Sequence, residues 1–194
     1  MTTRKDLRRQ MRRRRKGVAP DERRRAARAL AAGALRSILL TRAQHFTCFL
    51  SADGEVDTSV LIAKLHRMKR TVWLPCLGKP KLRFRRFDSK TPLKRGAFNI
   101  LEPASGPFRS AKKMSFILTP LVAFDASGQR LGMGGGYYDR TFAHRLQRKA
   151  YNRPQLIGVA FSIQEAPNVP SDHWDVPLDG ILTEHGLKLF RKGI

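Results

Sequence analysis

Arg130-Leu131-Gly132-Met133-Gly134-Gly135-Gly136-Tyr137-Tyr138-Asp139 is the stretch on which the reading of this chain turns. Four of the five residues from 132 to 136 are glycine. Glycines at this density let a backbone turn tightly and bring its N–H groups against a ligand. Successive N–H groups form a nest that suits an anion, phosphate above all. Arg130 can neutralise phosphate oxygens, and Asp139 can hold a metal ion. No Gly-Lys-Ser/Thr follows, so this is not a Walker A loop. It is not a dinucleotide fingerprint either, because Tyr137 stands where the third glycine belongs. A structural linker is the other reading, but a linker is not ordinarily framed by Arg-Leu and Tyr-Tyr-Asp-Arg.

Working outward, Ser115–Thr119 reads as a buried strand ended by Pro120, and Leu156–Phe161 as another central strand. Between them the spacing predicts a helix over 137–148 with Tyr138, Phe142 and Leu146 on one face. Gly180–Glu184 and Leu187–Phe190 form a terminal strand pair around His185-Gly186. Towards the N-terminus, His45–Leu50 is a short buried strand and Ser51–Glu55 the loop at its end. Thr58 or Asp57 caps a helix with Leu61, Leu65 and Met68 on its apolar face. Thr71–Pro75 is the next strand, which completes a βαβ unit. Leu82–Phe87 alternates like an exposed or edge strand, and 88–113 is an irregular connection rich in Pro, Gly, Ser and Lys. A helix begins near Pro20, with Ala27, Leu30, Ala31, Leu35 and Ile38 facing the core. The expected architecture is a single α/β domain over 1–194, an open, mostly parallel sheet with helices on both faces. Ligands of such sheets sit at the C-terminal ends of the strands.

Residues 1–16 are almost wholly basic, with Arg4, Arg8 and Arg12 on one helical stripe and Leu7 and Met11 on a thin apolar one. Across 194 residues the formal net charge is +24, which draws the chain to polyanions. The excess is spread along the chain without a nucleic-acid motif, so solvated arginine is preferred over specific nucleic-acid binding. Cys48 and Cys76 form no CxxC pair, which argues against a zinc site or disulfide scaffold and fits a reducing compartment. No apolar run is long enough to span a bilayer and no signal-peptide core is seen, so a soluble cytoplasmic protein is expected. The five histidines show no metal-ligand spacing, and Trp73 and Trp174 read as structural before they read as ligand walls.

Arg-Leu-Gly-x-Gly-x-Gly-Tyr-Tyr-Asp resembles the signature of the 5-formyltetrahydrofolate cyclo-ligases. Further elements are similar in the same order: Arg4-Lys5-Asp6-Leu7-Arg8, Pro20-Asp21-Glu22-Arg23, and Phe49-Leu50-Ser51 with Glu55. Gly96–Pro103, Thr119–Asp125 and His173–Asp179 follow. Met133 stands where an aromatic or basic residue is common, Leu121 where glycine is frequent, and Trp174 separates the His and Asp of the late motif.

The resemblance implies an ATP-dependent cyclisation of 5-formyltetrahydrofolate, possible also on polyglutamylated forms, to 5,10-methenyltetrahydrofolate with release of ADP and phosphate. It implies Mg²⁺ as the metal and a small molecule as the partner, with neither nucleic acid nor membrane; a monomer is expected. By the same resemblance Arg4 and Arg8 match nucleotide contacts, with Lys5 an alternative to Arg4, and 1–16 becomes part of the ATP site. Arg130, Gly132, Met133, Gly134, Gly135, Gly136, Tyr137 and Tyr138 match the nucleotide loop. Leu50 and Glu55 match substrate positions, with Tyr137 and Tyr138 beside them. Asp139 and Asp175 match metal ligands, with Asp179 competing for the second place. Arg130 and Asp139 carry the catalytic expectation. Core packing for Leu50 and Tyr138, helix-end charge for Asp139 and turn capping for Asp175 stay open. Arg12 to Lys16 are read as solvated. Rival functions are a basic nucleic-acid-binding protein on the same fold, or a sugar-phosphate isomerase or CoA-transferase-like enzyme.

Overall fold

Val72, Trp73 and Leu74 are consecutive, apolar and buried, which marks a strand covered on both faces. The same is true of Phe116-Ile117-Leu118, Leu156-Ile157 and Ile181-Leu182. In the computed structural model, which describes residues 3–37, 43–147 and 154–190, these runs form the middle of an α/β sheet. The helices are α1 (Arg4–Lys16), α2 (Pro20–Arg36), α3 (Ser59–Arg67) and α4 (Tyr137–Phe142). The strands are β1 (His45–Thr47), β2 (Thr71–Leu77), β3 (Leu82–Phe87), β4 (Leu93–Arg95), β5 (Leu101–Pro103), β6 (Phe108–Arg109), β7 (Phe116–Pro120), β8 (Ala123–Phe124), β9 (Arg130–Leu131), β10 (Gln155–Val159), β11 (Gly180–Thr183) and β12 (Gly186–Leu189).

The strands assemble as two four-stranded sheets, ordered β6-β3-β2-β1 and β7-β10-β11-β12, and two two-stranded ones, β4-β5 and β8-β9. Pairs β1–β2, β7–β10 and β10–β11 are parallel, and antiparallel strands β3, β6 and β12 flank them. The edges β1 and β7 lie alongside each other. The Thr47 hydroxyl joins them: it accepts from the Leu118 amide at 2.9 Å and donates to the Phe116 carbonyl at 3.4 Å. Phe46 meets Phe116 edge-on beside it, ring centroids 5.3 Å apart.

Alternation sorts the strand residues onto two faces. Phe46, Val72, Leu74, Phe116, Leu118, Ile157 and Leu182 pack under α2 and α3 through Leu30, Ala31, Leu61 and Leu65. Trp73, Ile117, Leu156 and Ile181 face the other way, towards Phe142 of α4. Helices therefore cover both faces, as expected. A third cluster fastens α1: Leu7 and Met11 bury against Val122, Ala123, Leu131 and Val169 around the β8–β9 hairpin. Each of those two side chains contributes about 2 kcal/mol by burial. Backbones touch where α2 crosses the β11–β12 turn, since a Cβ on Gly33 would come within 2.9 Å of the Gly186 Cα.

Several sequence expectations need correction. The strand at His45 stops at Thr47, although Cys48 and Phe49 are buried beyond it. β3 is not an edge: β6 pairs with it at Phe84 and Arg85. The 88–113 connection holds β4, β5 and β6, strands too short to show a period. Met68 is exposed past the end of α3, and Leu146 is exposed because α4 ends at Phe142 in a 3₁₀ turn over Ala143–Arg145. Ile38 and residue 148 lie outside the described residues. Asp57 rather than the Thr58 hydroxyl caps α3, by accepting the Ser59 amide at 2.8 Å. No helix among the described residues is long and apolar enough to cross a membrane.

Thr47→Val keeps shape but removes the hydroxyl that joins the two sheets, which leaves the Leu118 N–H unsatisfied. The expected cost is about 1–3 kcal/mol in urea unfolding; an unchanged midpoint and slope would remove the bridge from the stability of the sheet.

Candidate active site

The site is assembled along α1. Thr3 starts this helix by accepting the Asp6 amide at 3.1 Å, and Gly17 stops it. Arg4, Arg8 and Arg12 recur every fourth residue, so they project from one side of it. Arg4 reaches the late loop: its Nε donates to the Pro170 carbonyl at 3.0 Å, its Nη1 to Asp172 at 2.6 Å and its Nη2 to Asp175. Arg8 reaches the glycine loop, donating from Nε to the Gly132 carbonyl at 2.9 Å. Arg12 reaches the Ser51–Glu55 loop, gripping Asp53 with Nε at 2.7 Å and Nη2 at 3.1 Å.

Asp53 also takes Arg15 and Lys16, each at 2.8 Å. The bonds from Arg12 first, then those from Lys16 and the Arg15 charge, hold its carboxyl far below the usual carboxylate range, against the opposing effect of burial. Arg15 is wholly buried and also donates to the Asp53 and Leu121 carbonyls at 3.0 and 3.1 Å. The expectation that Arg12 to Lys16 are simply solvated is therefore wrong for Arg12, Arg15 and Lys16. A buried guanidinium survives because every face of it meets an acceptor.

The glycine loop needs its glycines at two points, Gly134 with φ 102° and Gly136 with φ 62°. Its carbonyls at 132 and 135 are taken by Arg8 and by Arg140, whose Nη2 lies 2.7 Å from the Gly135 oxygen. Among the described residues, no acceptor takes the N–H groups of residues 133–136. Arg8 meets no carboxylate among the described residues, and its pKa is lowered by burial first and by the nearby Arg4 charge second. Open N–H groups beside an uncompensated guanidinium make an anion site. Met133, within the loop, is exposed.

Arg130 is buried and pairs with Asp139 at 2.6 Å, while its Nε finds no partner. The same Asp139 oxygen accepts the Val176 amide at 3.1 Å, which draws the residue next to Asp175 against it. Asp175 in turn uses one oxygen for Arg4 and for the Asp172 amide. Each aspartate thus keeps its second oxygen, Oδ2 of Asp139 and Oδ1 of Asp175, without a protein partner among the described residues. Asp179 is differently employed: it is buried, bound to Arg145 at 2.6 Å, and accepts the Leu156 amide at 2.8 Å. Among the described residues no group of three or more His, Cys, Asp and Glu gathers for a metal. Mg²⁺ needs only one or two carboxylates when phosphates and waters complete its shell.

Glu55, at the end of the Ser51–Glu55 loop, lies close enough to Tyr138 for its charge to act on the Tyr138 hydroxyl. Glu55 accepts the Ala52 amide at 3.0 Å and lies 4.0 Å from Arg15. Burial pushes its carboxyl up to about 7, more than Arg15 and the amide pull it down. Burial, and then the Glu55 charge, raise the Tyr138 hydroxyl, which is buried without a hydrogen-bond partner among the described residues. Tyr138 and Tyr137 both pack on the α4 side of the core. Leu50 is partly buried against the main core. Phe98 was not anticipated. It is 74% exposed, sits at φ 56° and meets the Tyr137 ring edge-on at 6.4 Å. A large exposed aromatic held in left-handed backbone is unusual away from a ligand site; in the sequence it is one of two phenylalanines, with Phe108, in a connection without a clear period. Trp73 is buried and bonds His45, and Trp174 is exposed against His173, so neither walls this pocket.

The family model for the 5-formyltetrahydrofolate cyclo-ligase family matches residues 1–184. The chain belongs to the 5-formyltetrahydrofolate cyclo-ligase family. It is 36% identical to a 5-formyltetrahydrofolate cyclo-ligase of Haemophilus influenzae over 184 residues, 92% of this chain and 96% of that one. It is 34% identical to the Escherichia coli K12 protein of the same name over 178 residues, 89% of this chain and 96% of the other. The solved structure of Aquifex aeolicus 5,10-methenyltetrahydrofolate synthetase superposes with a TM-score of 0.81 at 30% identity, covering 98% of this chain and 94% of that one. In this cyclo-ligase family member, then, one helix meets the late loop, the glycine loop and the Ser51–Glu55 loop in turn.

The raised Glu55 carboxyl has a definite sign. Between its ordinary value of 4.5 and about 7 the folded chain holds a proton the unfolded chain has lost, so stability falls as pH rises through that window. Glu55→Gln, which keeps an acceptor for the Ala52 amide, is expected to be more stable than the parent above pH 7, with the difference fading towards pH 4.5. Parallel denaturation curves of parent and variant at all pH values would contradict the burial of this carboxyl.

Proposed function

We propose that the chain catalyses the ATP-dependent closure of 5-formyltetrahydrofolate to 5,10-methenyltetrahydrofolate, releasing ADP and phosphate. The observation that carries this reading is the Arg8 side chain on a glycine loop whose N–H groups are open, beside two aspartates with one free oxygen each. The names of the relatives point the same way.

The chemistry explains why such a site is needed. A formamide carbon is a poor electrophile and its oxygen a poor leaving group. The formyl oxygen must attack the terminal phosphorus of ATP; the new O–P bond forms as the bond to ADP breaks. N10 then attacks the activated carbon and surrenders its proton to water. The C–O bond breaks and phosphate leaves with the oxygen. Phosphoryl transfer of this kind asks for positioning and charge neutralisation more than for covalent help.

In this reading Arg8 and the N–H groups of residues 133–136 hold the polyphosphate. Arg4, close enough to lower the Arg8 pKa, adds positive potential there while it tethers Asp175. Arg130 stabilises charge that develops on the transferring group and orients Asp139. A bound Mg²⁺ would neutralise phosphate charge, and the free oxygens of Asp139 and Asp175 are the ones to hold it. Glu55 faces the N–H edge of the pterin, Tyr138 offers its unpartnered hydroxyl to the substrate, and Leu50 supplies an apolar wall. Tyr137 and Phe98 bracket the ring system. Every one of these groups comes from one chain over 1–194, so a monomeric single domain suffices. Cys48 and Cys76 are free and buried, which suits a reducing cytoplasm.

Mixed with 5-formyltetrahydrofolate, ATP and Mg²⁺, the purified chain is expected to generate the near-ultraviolet band of the methenyl product. No band with any divalent metal would defeat the reading. The Asp139 role calls for Asp139→Asn rather than alanine, because asparagine keeps an oxygen to accept from the buried Arg130 and from the Val176 amide while it removes the negative charge. The asparagine variant is expected to lose at least about a hundredfold in kcat and still to unfold cooperatively, at a melting temperature lowered by the loss of the ion pair. Turnover at the parental rate would remove Asp139 from the reaction.

A further inference from the structure

A cavity of about 460 Å³, which no residue of the glycine loop lines among the described residues, lies between the start of β3, β6 and α4. Its basic lining is Lys81, Arg83, Arg109, Lys112, Arg140 and His144; no acidic residue lines it. The arginines here are held in a different manner from those of α1. Arg83 lies over the Phe108 ring with its Cζ 3.8 Å from the centroid, Arg109 over Trp73 at 5.7 Å and Arg140 over Tyr137 at 4.8 Å. Around Asp53, three cations share a carboxylate. Around this cavity, none of the five Lys and Arg side chains meets a carboxylate among the described residues. Aromatic faces fix the direction of a guanidinium without cancelling its charge. The Arg109 Nε is buried with no hydrogen-bond partner among the described residues.

We infer that this cavity is a second anion site, separate from the glycine loop, that takes a small multiply charged anion bearing carboxylates or phosphates. Its volume and its converging fixed charges suit a short flexible chain of such groups better than a single ion. The cavity adjoins the proposed substrate pocket through one residue: Arg140 lines it, holds the Gly135 carbonyl and stacks on Tyr137. The nearest source of such an anion is therefore the acidic tail of the folate bound next door, which rests on the folate reading above. A free polyanion is the other source, and the anion site itself does not depend on that reading.

The test uses the full-length chain, the Arg83→Gln/Arg109→Gln double variant, and Lys112→Gln as a milder change on an exposed side chain. Calorimetric titration with tri-γ-glutamate, which lacks both a pterin and a phosphate chain, reads the site directly. It is expected to bind the parent, and to bind the double variant about tenfold more weakly, Lys112→Gln falling between. Arg8→Gln is expected to leave that affinity within a factor of about two. An affinity unchanged in the double variant, or lost instead in Arg8→Gln, would overturn the site. Turnover then identifies the source. If the tail is the ligand, the double variant raises KM for triglutamylated 5-formyltetrahydrofolate about tenfold and leaves kcat and the monoglutamate KM unchanged. Equal KM changes for both substrates, with calorimetric loss intact, would overturn the tail as the source. Absence of any folate turnover would instead fall on the proposed reaction and leave the calorimetric result to be judged alone.

Discussion

One row of guanidinium groups on one helix organises the loops of this protein. Successive turns of α1 present Arg4, Arg8 and Arg12, and each takes a different loop: the late loop, the glycine loop and the Ser51–Glu55 loop. The three loops come from distant parts of the chain and share no strand pairing. What they share is α1, and α1 itself is fastened from beneath by Leu7 and Met11 in their own small core. Apolar burial fixes where the helix lies, and charge fixes what it holds. The positive residues that look excessive in the composition are thus divided between structure and site.

Neutralisation is uneven along that row, and the unevenness has a chemical meaning. Arg15 is buried and fully satisfied, so it is a structural post. Arg4 spends its nitrogens on Asp172, Asp175 and a carbonyl. Arg8 alone of Arg4, Arg8, Arg12 and Arg15 is given no carboxylate among the described residues, and it is the one beside open backbone N–H groups. A site for a polyphosphate must leave some positive charge uncancelled, and a stable helix must cancel the rest. The same contrast separates the Asp53 cluster from the aromatic-stacked arginines of the cavity between β3, β6 and α4.

Much of this was legible in the sequence because local chemistry dictated it. The Tyr-Tyr-Asp run after four glycines announced a tight loop that opens a helix, and Gly136 in left-handed backbone is where α4 starts. The central strands followed from short continuous apolar runs, and the Arg4, Arg8, Arg12 stripe from helical spacing. What escaped depended on contacts far along the chain. Arg15 looks like any member of a basic run until Asp53, 38 positions later, reaches it. β6 pairs only two residues with β3, too few to leave a pattern. Phe98 carries no periodic signal, and only its meeting with Tyr137 gives it a place. Asp175 and Asp179 could not be told apart by spacing; Arg145 and the Leu156 amide occupy the latter.

The most direct measurement is the affinity of the Asp53→Ala variant for ATP with Mg²⁺. Asp53 lies in the Ser51–Glu55 loop, and its carboxylate is taken up by Arg12, Arg15 and Lys16 of α1. If α1 is the shared support, releasing Arg12, Arg15 and Lys16 loosens the helix that presents Arg8, and the nucleotide Kd rises about tenfold or more in the folded variant. A nucleotide Kd equal to that of the parent, in a variant that is folded, would contradict the shared helix as the organiser of the site.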